Sequence, residues 1–197
     1  MSRGTTRPGR LRLLDQALLS WLDEVPSPAV ELGIGDRPDT VLEWFACLEG
    51  PCVAIDHDPT RVRIAQEAGV DARVGTEDLG FSAGLIRAVN VFREVFWERA
   101  RIESLNRWLS PGGLMVEATT DKPGYVVAAR LWGPDMTDRG WLFGWDGQHG
   151  FHPHMFRGQV PRWQREVLER FDALEAFDIP AGHAGWVPPA ESPPPGP

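Results

Sequence analysis

Two glycines and an acid are spaced as a nucleoside-binding site requires. Gly33 and Gly35 follow the short run AVEL, and Asp56 ends a second apolar run 23 residues after Gly33. Glycines in such a loop let the backbone approach a ligand closely and adopt positive φ. An acid at the end of the next strand can accept hydrogen bonds from both ribose hydroxyls of an adenosine. The loop and the acid together indicate a nucleoside ligand.

The residues around the loop bear on the charge of that ligand. Pro38 stands where a dinucleotide-binding G-x-G-x-x-G loop has its third glycine, and Asp36 would lie beside a bound pyrophosphate. S-adenosylmethionine carries a sulfonium and an ammonium group and no phosphate, so Glu31 and Asp36 are compatible with it. The pattern favours S-adenosyl-L-methionine as the cofactor, with NAD(P) as the rival ligand.

The elements that must position these residues alternate along the chain. The predicted strands and helices occupy residues 11–24 (helix), 30–34 (strand), 38–50 (helix), 52–59 (strand), 59–69 (helix), 70–75 (strand), 85–92 (strand), 93–109 (helix) and 114–120 (strand), with SPGG at 110–113 as a turn. This alternation predicts an α/β fold, a doubly wound mostly parallel sheet with flanking helices. In such a sheet, ligands bind outside the carboxyl ends of the strands, where the strand order reverses.

After residue 120 the pattern is weaker. Residues 125–133 fit a helix or a strand, residues 140–147 fit an antiparallel strand, and residues 161–177 predict a helix. The proline-rich tail, 188–197, is expected to be disordered. We therefore expect one Rossmann-like domain over 1–187, with an N-terminal helix at 11–24, a cofactor half at 28–120 and an irregular acceptor or lid part at 121–187.

Composition excludes several classes of protein. No apolar run approaches the 18 residues of a membrane span, and no signal peptide is recognisable, so we expect a cytoplasmic protein. A net charge of −8 disfavours nucleic acid as a partner, because binding phosphates requires clustered cations. A small-molecule acceptor is the expected partner. Cys47 and Cys52 are expected to be two small buried hydrophobes rather than a disulfide.

Residues 28–120, about half of the chain, resemble a class I (Rossmann-like) S-adenosylmethionine-dependent methyltransferase. The motifs that carry the resemblance are VELGIG, VAIDHDP, VGTED and LSPGGLMVEAT. The segments RAVNVFREV, MVEATTDKPG and MFRGQVP are similar to an actinobacterial set of methyltransferase-like proteins. The C-terminal third resembles the family only loosely. The resemblance implies binding of S-adenosylmethionine and transfer of its methyl group to an acceptor.

The resemblance assigns roles to the residues of the glycine loop. Glu31 matches the acid that helps hold the methionine amino group, usually through water, and Gly33 and Gly35 match glycines that lie against the methionine portion. Arg37 replaces a frequent third glycine. A cation there could pair with the ligand carboxylate, crowd the pocket or point to solvent.

Further along the chain, the same resemblance assigns residues to the binding of the adenosine and of the methionine portion. Asp56 matches the ribose-binding acid, and His57 lies beside the adenine. Thr76 and Glu77 fall where the family reads the adenine edge. Asn90 falls at the end of the fourth strand, where the family often binds the methionine moiety and faces the methyl acceptor.

The residues that would perform chemistry on the acceptor are less defined. A base is needed only if the acceptor must lose a proton, and the candidates are Asn90 and His152, followed by Glu94 and Asp121. The histidines of HGFHPH, at 149, 152 and 154, could bind a metal, but no cysteine or clear acid follows at ligand spacing. We predict no metal and interpret the segment as a lid. A segment NVFR in place of Asn-Pro-Pro-aromatic disfavours nucleobases as acceptors.

Two other functions stay open. One is a catalytically silent protein that binds S-adenosylmethionine or another nucleoside, which Arg37 and the absence of a decisive base would explain. The other is an NAD(P)-dependent oxidoreductase, which Asp36 and Pro38 disfavour.

Overall fold

The computed structural model describes residues 7–92, 98–120, 124–145 and 184–187. In chain order, the elements are α1 (Arg12–Trp21), β1 (Ala29–Leu32), α2 (Asp39–Phe45), β2 (Cys52–Asp56), α3 (Pro59–Glu67), β3 (Ala72–Val74), β4 (Ala83–Val89), α4 (Glu98–Asn106), β5 (Leu109–Thr120), β6 (Val126–Trp132), a 3-10 turn (Pro134–Met136), β7 (Asp138–Trp145) and β8 (Ala184–Val187). Across these ranges no helix is both long and apolar enough to span a membrane.

The strands form one eight-stranded sheet in the order β3-β2-β1-β4-β5-β6-β7-β8. The strands from β3 to β5 pair in parallel, and β6, β7 and β8 continue the sheet by antiparallel pairing. Chain order reverses between β1 and β4, which is the switch point of a doubly wound fold. The predicted fold class is therefore confirmed.

Helices cover both faces of the sheet, which explains why the parallel strands are apolar on both sides. On one face Ile102 and Leu105 of α4 pack with Ile86 and Met115 in one core cluster. On the other face α1 supplies Leu14 and Leu18, which belong to a second cluster with Leu85 and Val116. The face of α1 that carries Leu14 and Leu18 is thus buried against the sheet.

The structure corrects the predicted course of the fifth strand. SPGG is not a turn before the strand, because residues 110–113 lie inside β5. The pairing with β4 steps from Ala83–Leu109 to Leu85–Leu114, so residues 110–113 form a bulge in a strand that is paired on both sides of it. Glycine is needed there, since Gly112 has φ +78° and a Cβ on Gly113 would lie 2.9 Å from the Gly84 carbonyl oxygen.

Other predicted boundaries also shift. The first helix ends at Trp21 rather than 24, and α4 ends at Asn106 because Leu109 already pairs in the sheet. Residues 125–133, left open between helix and strand, contain β6. The cysteines are free thiols as expected, but neither is fully buried: Cys47 is exposed and Cys52 is partly buried. The helix predicted at 161–177 and the tail at 188–197 lie outside the described residues.

Candidate functional site

Backbone hydrogen bonds bring the carboxyl ends of the parallel strands together at one edge of the sheet. The Gly33 N–H donates to the Ile55 carbonyl (2.7 Å), and the Gly75 N–H donates to the Asp56 carbonyl (3.0 Å). On the other side of the switch point, the Asn90 N–H donates to the Ala118 carbonyl (2.8 Å). The loops that carry the predicted site residues therefore emerge side by side.

The loop after β1 has the backbone conformation that its glycines predict. Gly33 has φ +87° and Gly35 has φ +78°, values that other residues rarely adopt. A Cβ on Gly33 would also lie 2.8 Å from Cγ2 of Val91, in the loop after β4. Gly33 is thus required both by its conformation and by the close approach of the two loops at the switch point.

The Asp56 carboxylate is bound to the protein's own backbone. One oxygen accepts from the Ile34 N–H (2.8 Å) and the other from the Asp58 N–H (2.9 Å). Only 2% of the side chain is exposed, with the 75%-exposed His57 alongside it (Nδ1 to Oδ1, 3.2 Å). A carboxylate has about four lone-pair positions. Two of these positions accept from the backbone, and the others are shielded from solvent by the surrounding residues, His57 among them.

Arg61 of α3 joins three carboxylates at the mouth of the site. Its guanidinium lies 2.8 Å from Asp36, 3.7 Å from Asp56 and 3.8 Å from Asp58. Asp58 is also the N-cap of α3, because its carboxylate accepts from the Thr60 N–H (2.8 Å). That hydrogen bond is the leading cause that lowers the pKa of Asp58. The glycine loop, the end of β2 and the start of α3 are therefore joined by one cation.

The residues after the glycine loop do not form an anion site. Pro38 is the N-cap of α2 and has no N–H to donate, and Asp39 lies in the first turn. Arg37 is 64% exposed and its Nε lies 2.9 Å from the Asp39 carboxylate. Of the three possibilities for Arg37, the structure places it at the surface beside α2.

Thr76 and Glu77 follow β3 at the same edge of the sheet. Thr76 is exposed, whereas the Glu77 carboxylate accepts two hydrogen bonds from Arg101 of α4 (3.1 and 2.8 Å). Burial is the largest single effect and opposes the charge of Glu77, but the hydrogen bonds and the charge of Arg101, together with local hydrogen bonds, outweigh it and lower the pKa of Glu77. Glu77 thus connects the loop after β3 to α4.

Asn90 connects the ends of β4 and β5. Its carboxamide oxygen accepts from the Thr120 N–H (3.0 Å) and from the Thr119 hydroxyl (3.2 Å), and its Nδ2 donates to the Thr120 hydroxyl (3.0 Å). Asn90 has φ 60°, a left-handed conformation that asparagine tolerates better than most residues. Its side chain thus satisfies a backbone group at the end of β5.

Glu31 belongs to a buried group of three charges, which we call the triad: Asp15, Glu31 and Arg87. Glu31 and Arg87 are register partners on β1 and β4, and the Arg87 Nε donates to the Glu31 carboxylate (2.5 Å). Arg87 also donates to Asp15 of α1 and lies over the ring of Trp44 (4.4 Å to the centroid). All three residues of the triad are buried, and Arg87 is 0% exposed.

Burial governs the protonation of the triad's acids. Desolvation raises the pKa of Glu31 to about 7, even though Arg87 pulls it in the opposite direction. Desolvation likewise raises the pKa of Asp15, and Glu43 of α2 adds to that effect. The ion pair with Arg87 therefore offsets only part of the cost of removing two carboxylates from water.

A partly buried arginine lies in the antiparallel half of the sheet. Arg130 on β6 faces Glu117 on β5 in register, so the buried acid of the fifth strand has an arginine as its cross-strand neighbour. Arg130 donates to Asp138 (2.6 Å), and its guanidinium lies 4.2 Å from the ring centroid of Trp132 and 4.9 Å from that of Trp141.

Glu94, Asp121 and His152, with the other histidines of HGFHPH, lie outside the described residues. Among the residues that are described, no group of three histidine, cysteine or acidic side chains is arranged to hold a metal ion.

Sequence reasoning missed the arginines that hold the predicted acids. Arg61, Arg87 and Arg101 bind Asp56, Glu31 and Glu77, respectively, and none was predicted as part of the site. For Arg87 a signal existed: an arginine inside the apolar run LIRAV, like the glutamate inside AVELGI, needs a buried counter-charge. The other two lie on amphipathic helices, where arginine is an ordinary surface residue.

Comparison with known proteins gives matches of structure only. No protein-family model matches the chain, and no curated protein matches it. A chain of a methyltransferase–activator complex from Haloferax volcanii is similar, with 22% identity, 56% of this chain and 52% of that one covered, and a TM-score of 0.47. An S-adenosylmethionine-dependent methyltransferase from Mesorhizobium loti has 21% identity, 53% and 52% coverage, and a TM-score of 0.44.

A third similar structure is an amino pentose methyltransferase from Micromonospora echinaspora with S-adenosylmethionine bound. It has 17% identity, 68% of this chain and 65% of that one covered, and a TM-score of 0.44. The matched region thus spans about half of the first two chains and less than two thirds of the third. Because all three scores lie below 0.5, the fold class rests on the strand order and register given above.

Proposed function

We propose that this chain is an S-adenosylmethionine-dependent methyltransferase that acts on a small-molecule acceptor. The observation that carries the proposal is the charge at the mouth of the site. Asp36, Asp56 and Asp58 surround Arg61, so this cluster of four side chains has two negative charges in excess when its acids are ionised. An acidic mouth favours a ligand with a sulfonium and an ammonium group.

The same charges oppose a dinucleotide. A pyrophosphate would bring its own negative charges next to Asp36 and the first turn of α2, where Asp39 lies. Dinucleotide sites instead offer backbone N–H groups at a helix N-terminus, and Pro38 removes one of them. These features support S-adenosylmethionine over NAD(P).

Each loop at the sheet edge has a proposed task. The glycine loop, Gly33 and Gly35, would hold the methionine portion, with Glu31 below it on the strand. Asp56 would accept from the ribose, with His57 beside the adenine. The loop after β3, with Thr76 and Glu77, would contact the adenine edge, and Asn90 would face both the methionine moiety and the acceptor.

The cofactor, when bound, supplies an electrophilic methyl group for a nucleophilic atom of the acceptor. The contribution of the chain is to hold both molecules in reacting geometry, which can supply on the order of 7–11 kcal/mol of the barrier reduction at best. The net charge of −8 makes a phosphate backbone a poor acceptor, which supports a small molecule.

Titration calorimetry with S-adenosylmethionine, S-adenosylhomocysteine and NAD tests the proposal. Both sulfur ligands should bind and NAD should not. Asp56→Asn should weaken binding of S-adenosylhomocysteine by about 1.5–3 kcal/mol, or roughly ten- to hundredfold, because it removes charge-assisted hydrogen bonds to ribose. Asp71→Asn is the matched control, since it removes the same charge from an exposed residue just before β3, at the opposite end of that strand.

The thermal midpoint of each variant separates a ligand effect from a folding effect, because Asp56 also binds the Ile34 and Asp58 N–H groups. Binding of NAD without binding of either sulfur ligand would reject the methyltransferase. Equal affinities of wild type and folded Asp56→Asn would reject the pose of the ribose.

A silent binding protein is the second candidate, and one observation favours it. Asn90, the catalytic candidate within the described ranges, has its carboxamide oxygen occupied by Thr119 and Thr120. Incubation with S-adenosylmethionine labelled at the methyl group and a small-molecule extract separates the two. Tight binding without transfer of the label would favour the silent protein.

A further inference from the structure

The triad lies directly below the loop that would hold the methionine portion. Glu31 precedes Gly33 by two residues on β1, and Arg87 precedes Asn90 by three on β4. Asp15 reaches the pair from α1, which covers this face of the sheet. The two strands at the switch point are therefore joined by a buried ion pair, and a second acid approaches that pair from a helix.

The composition of the triad leaves a charge. Two carboxylates share one guanidinium, so the group carries one net negative charge when both acids are ionised. The nearest charge from α2 is Glu43, which is also negative and acts on Asp15. Because charges are poorly screened inside a protein, an excess charge at this depth acts on a ligand above it more strongly than a surface charge does.

We propose that Asp15 is a positioning residue for the cofactor: through Arg87 and Glu31 it places a net negative charge below the glycine loop and thereby favours the sulfonium form of the ligand over the demethylated product. The inference rests on the proposed function. S-adenosylmethionine carries one more positive charge than S-adenosylhomocysteine. The triad therefore stabilises the incoming cofactor more than the product that must leave.

The charge of the triad depends on pH. The groups that face Glu31 are Arg87 of β4 and Asp15 of α1, with Glu43 of α2 acting on Asp15. Since burial raises the pKa of Glu31 to about 7, the triad takes up a proton below that pH and becomes neutral. The preference for the sulfonium ligand should be present above pH 7 and fade below it.

Asp15→Asn tests the inference, because asparagine retains the shape and an acceptor while the remaining Glu31–Arg87 pair is neutral. Dissociation constants of S-adenosylmethionine and S-adenosylhomocysteine are measured by calorimetry at pH 6 and pH 8.5. In the wild type, the preference for S-adenosylmethionine should rise by about three- to tenfold over this range, the effect of one charge at low effective dielectric. At pH 8.5 the preference of Asp15→Asn should equal the low-pH value of the wild type, because in both cases the charges of the triad sum to zero.

Asp23→Asn is the matched control, because it removes the same charge from an exposed residue just after α1 and should behave as the wild type. Groups at the mouth, such as His57, are identical in all three proteins and cancel in the comparison. If both ligands bind but the preference of the wild type does not change with pH, or if the wild type and Asp15→Asn show the same preference at pH 8.5, the inference is overturned and the proposed function is not. Failure of the wild type to bind either ligand would overturn the proposed function.

Discussion

Arg87 and Arg130, one in each half of the sheet, are held in different ways. Arg87 in the parallel half is completely buried and pairs with Glu31 and Asp15, which are 56 and 72 residues away in sequence. Arg130 in the antiparallel half pairs with Asp138, eight residues away, and its side chain stays 13% exposed. Both guanidinium groups lie over tryptophan rings.

The difference follows from the topology of the two halves. Parallel strands need long crossovers, so residues that meet on them come from distant parts of the chain. The antiparallel strands β5, β6 and β7 are joined by short connections, so a charge pair between them is local. The pKa values of the two arginines also shift in opposite directions. Burial opposes the charge of Arg87, but Glu31 and Asp15 outweigh it and raise its pKa, whereas burial prevails at Arg130 and lowers its pKa.

The largest effect is expected when Arg87 is removed. Arg87→Met leaves Glu31 and Asp15 buried without their cation, which should lower the free energy of unfolding by about 3–5 kcal/mol. Urea denaturation followed by circular dichroism measures it. A triple variant that also carries Asp15→Asn and Glu31→Gln should recover most of the loss, since no charge of the triad remains buried. A loss below 1 kcal/mol in Arg87→Met would contradict the picture of a buried triad.

A smaller effect is expected from pH. Because the pKa of Glu31 is raised to about 7 in the folded state from 4.5, the folded protein binds more protons than the unfolded chain between these values. Stability should therefore be complete below pH 4.5 and fall as pH rises to about 7, by up to about 1.4 kcal/mol per pH unit. In Glu31→Gln the decline should be shallower. Equal slopes for the two proteins would show that Glu31 does not titrate in this range.

The smallest effect is expected in the antiparallel half. Arg130→Met should lower the free energy of unfolding by about 1–2 kcal/mol, because the half-buried Asp138 can be hydrated after its partner is lost. The same urea experiment compares it with Arg87→Met. Equal losses in the free energy of unfolding would show that the difference in burial between the two arginines does not affect their contributions to stability.

Most of the parallel half could be predicted from local sequence. β1, β2 and β4 are short, mostly apolar runs, and α3 begins at Pro59 as predicted. The antiparallel half was harder, because the pattern of residues 125–133 fits two structures. SPGG in β5 was misassigned because proline and glycine usually mark turns, whereas here pairing with β4 on both sides of it continues the strand.

The candidate site was predictable only in its location. Gly33, Gly35 and Asp56 lie at the switch point because the carboxyl ends of parallel strands meet there. The partners of the acids were not predictable, since Arg61, Arg87 and Arg101 reach them from other elements. One amino-acid sequence indicates that a buried charge needs a counter-charge, but it does not indicate which residue supplies that counter-charge.

The amino-acid sequence by itself determined the alternation of strands and helices, the position of the glycine loop and the acidic character of the chain, because propensity, periodicity and composition are local properties. The tertiary structure alone decided that Glu31 meets Arg87 and Asp15 below that loop and that Arg61 joins three acids above it. Those contacts depend on strand order and register, which set distances between residues far apart in the chain.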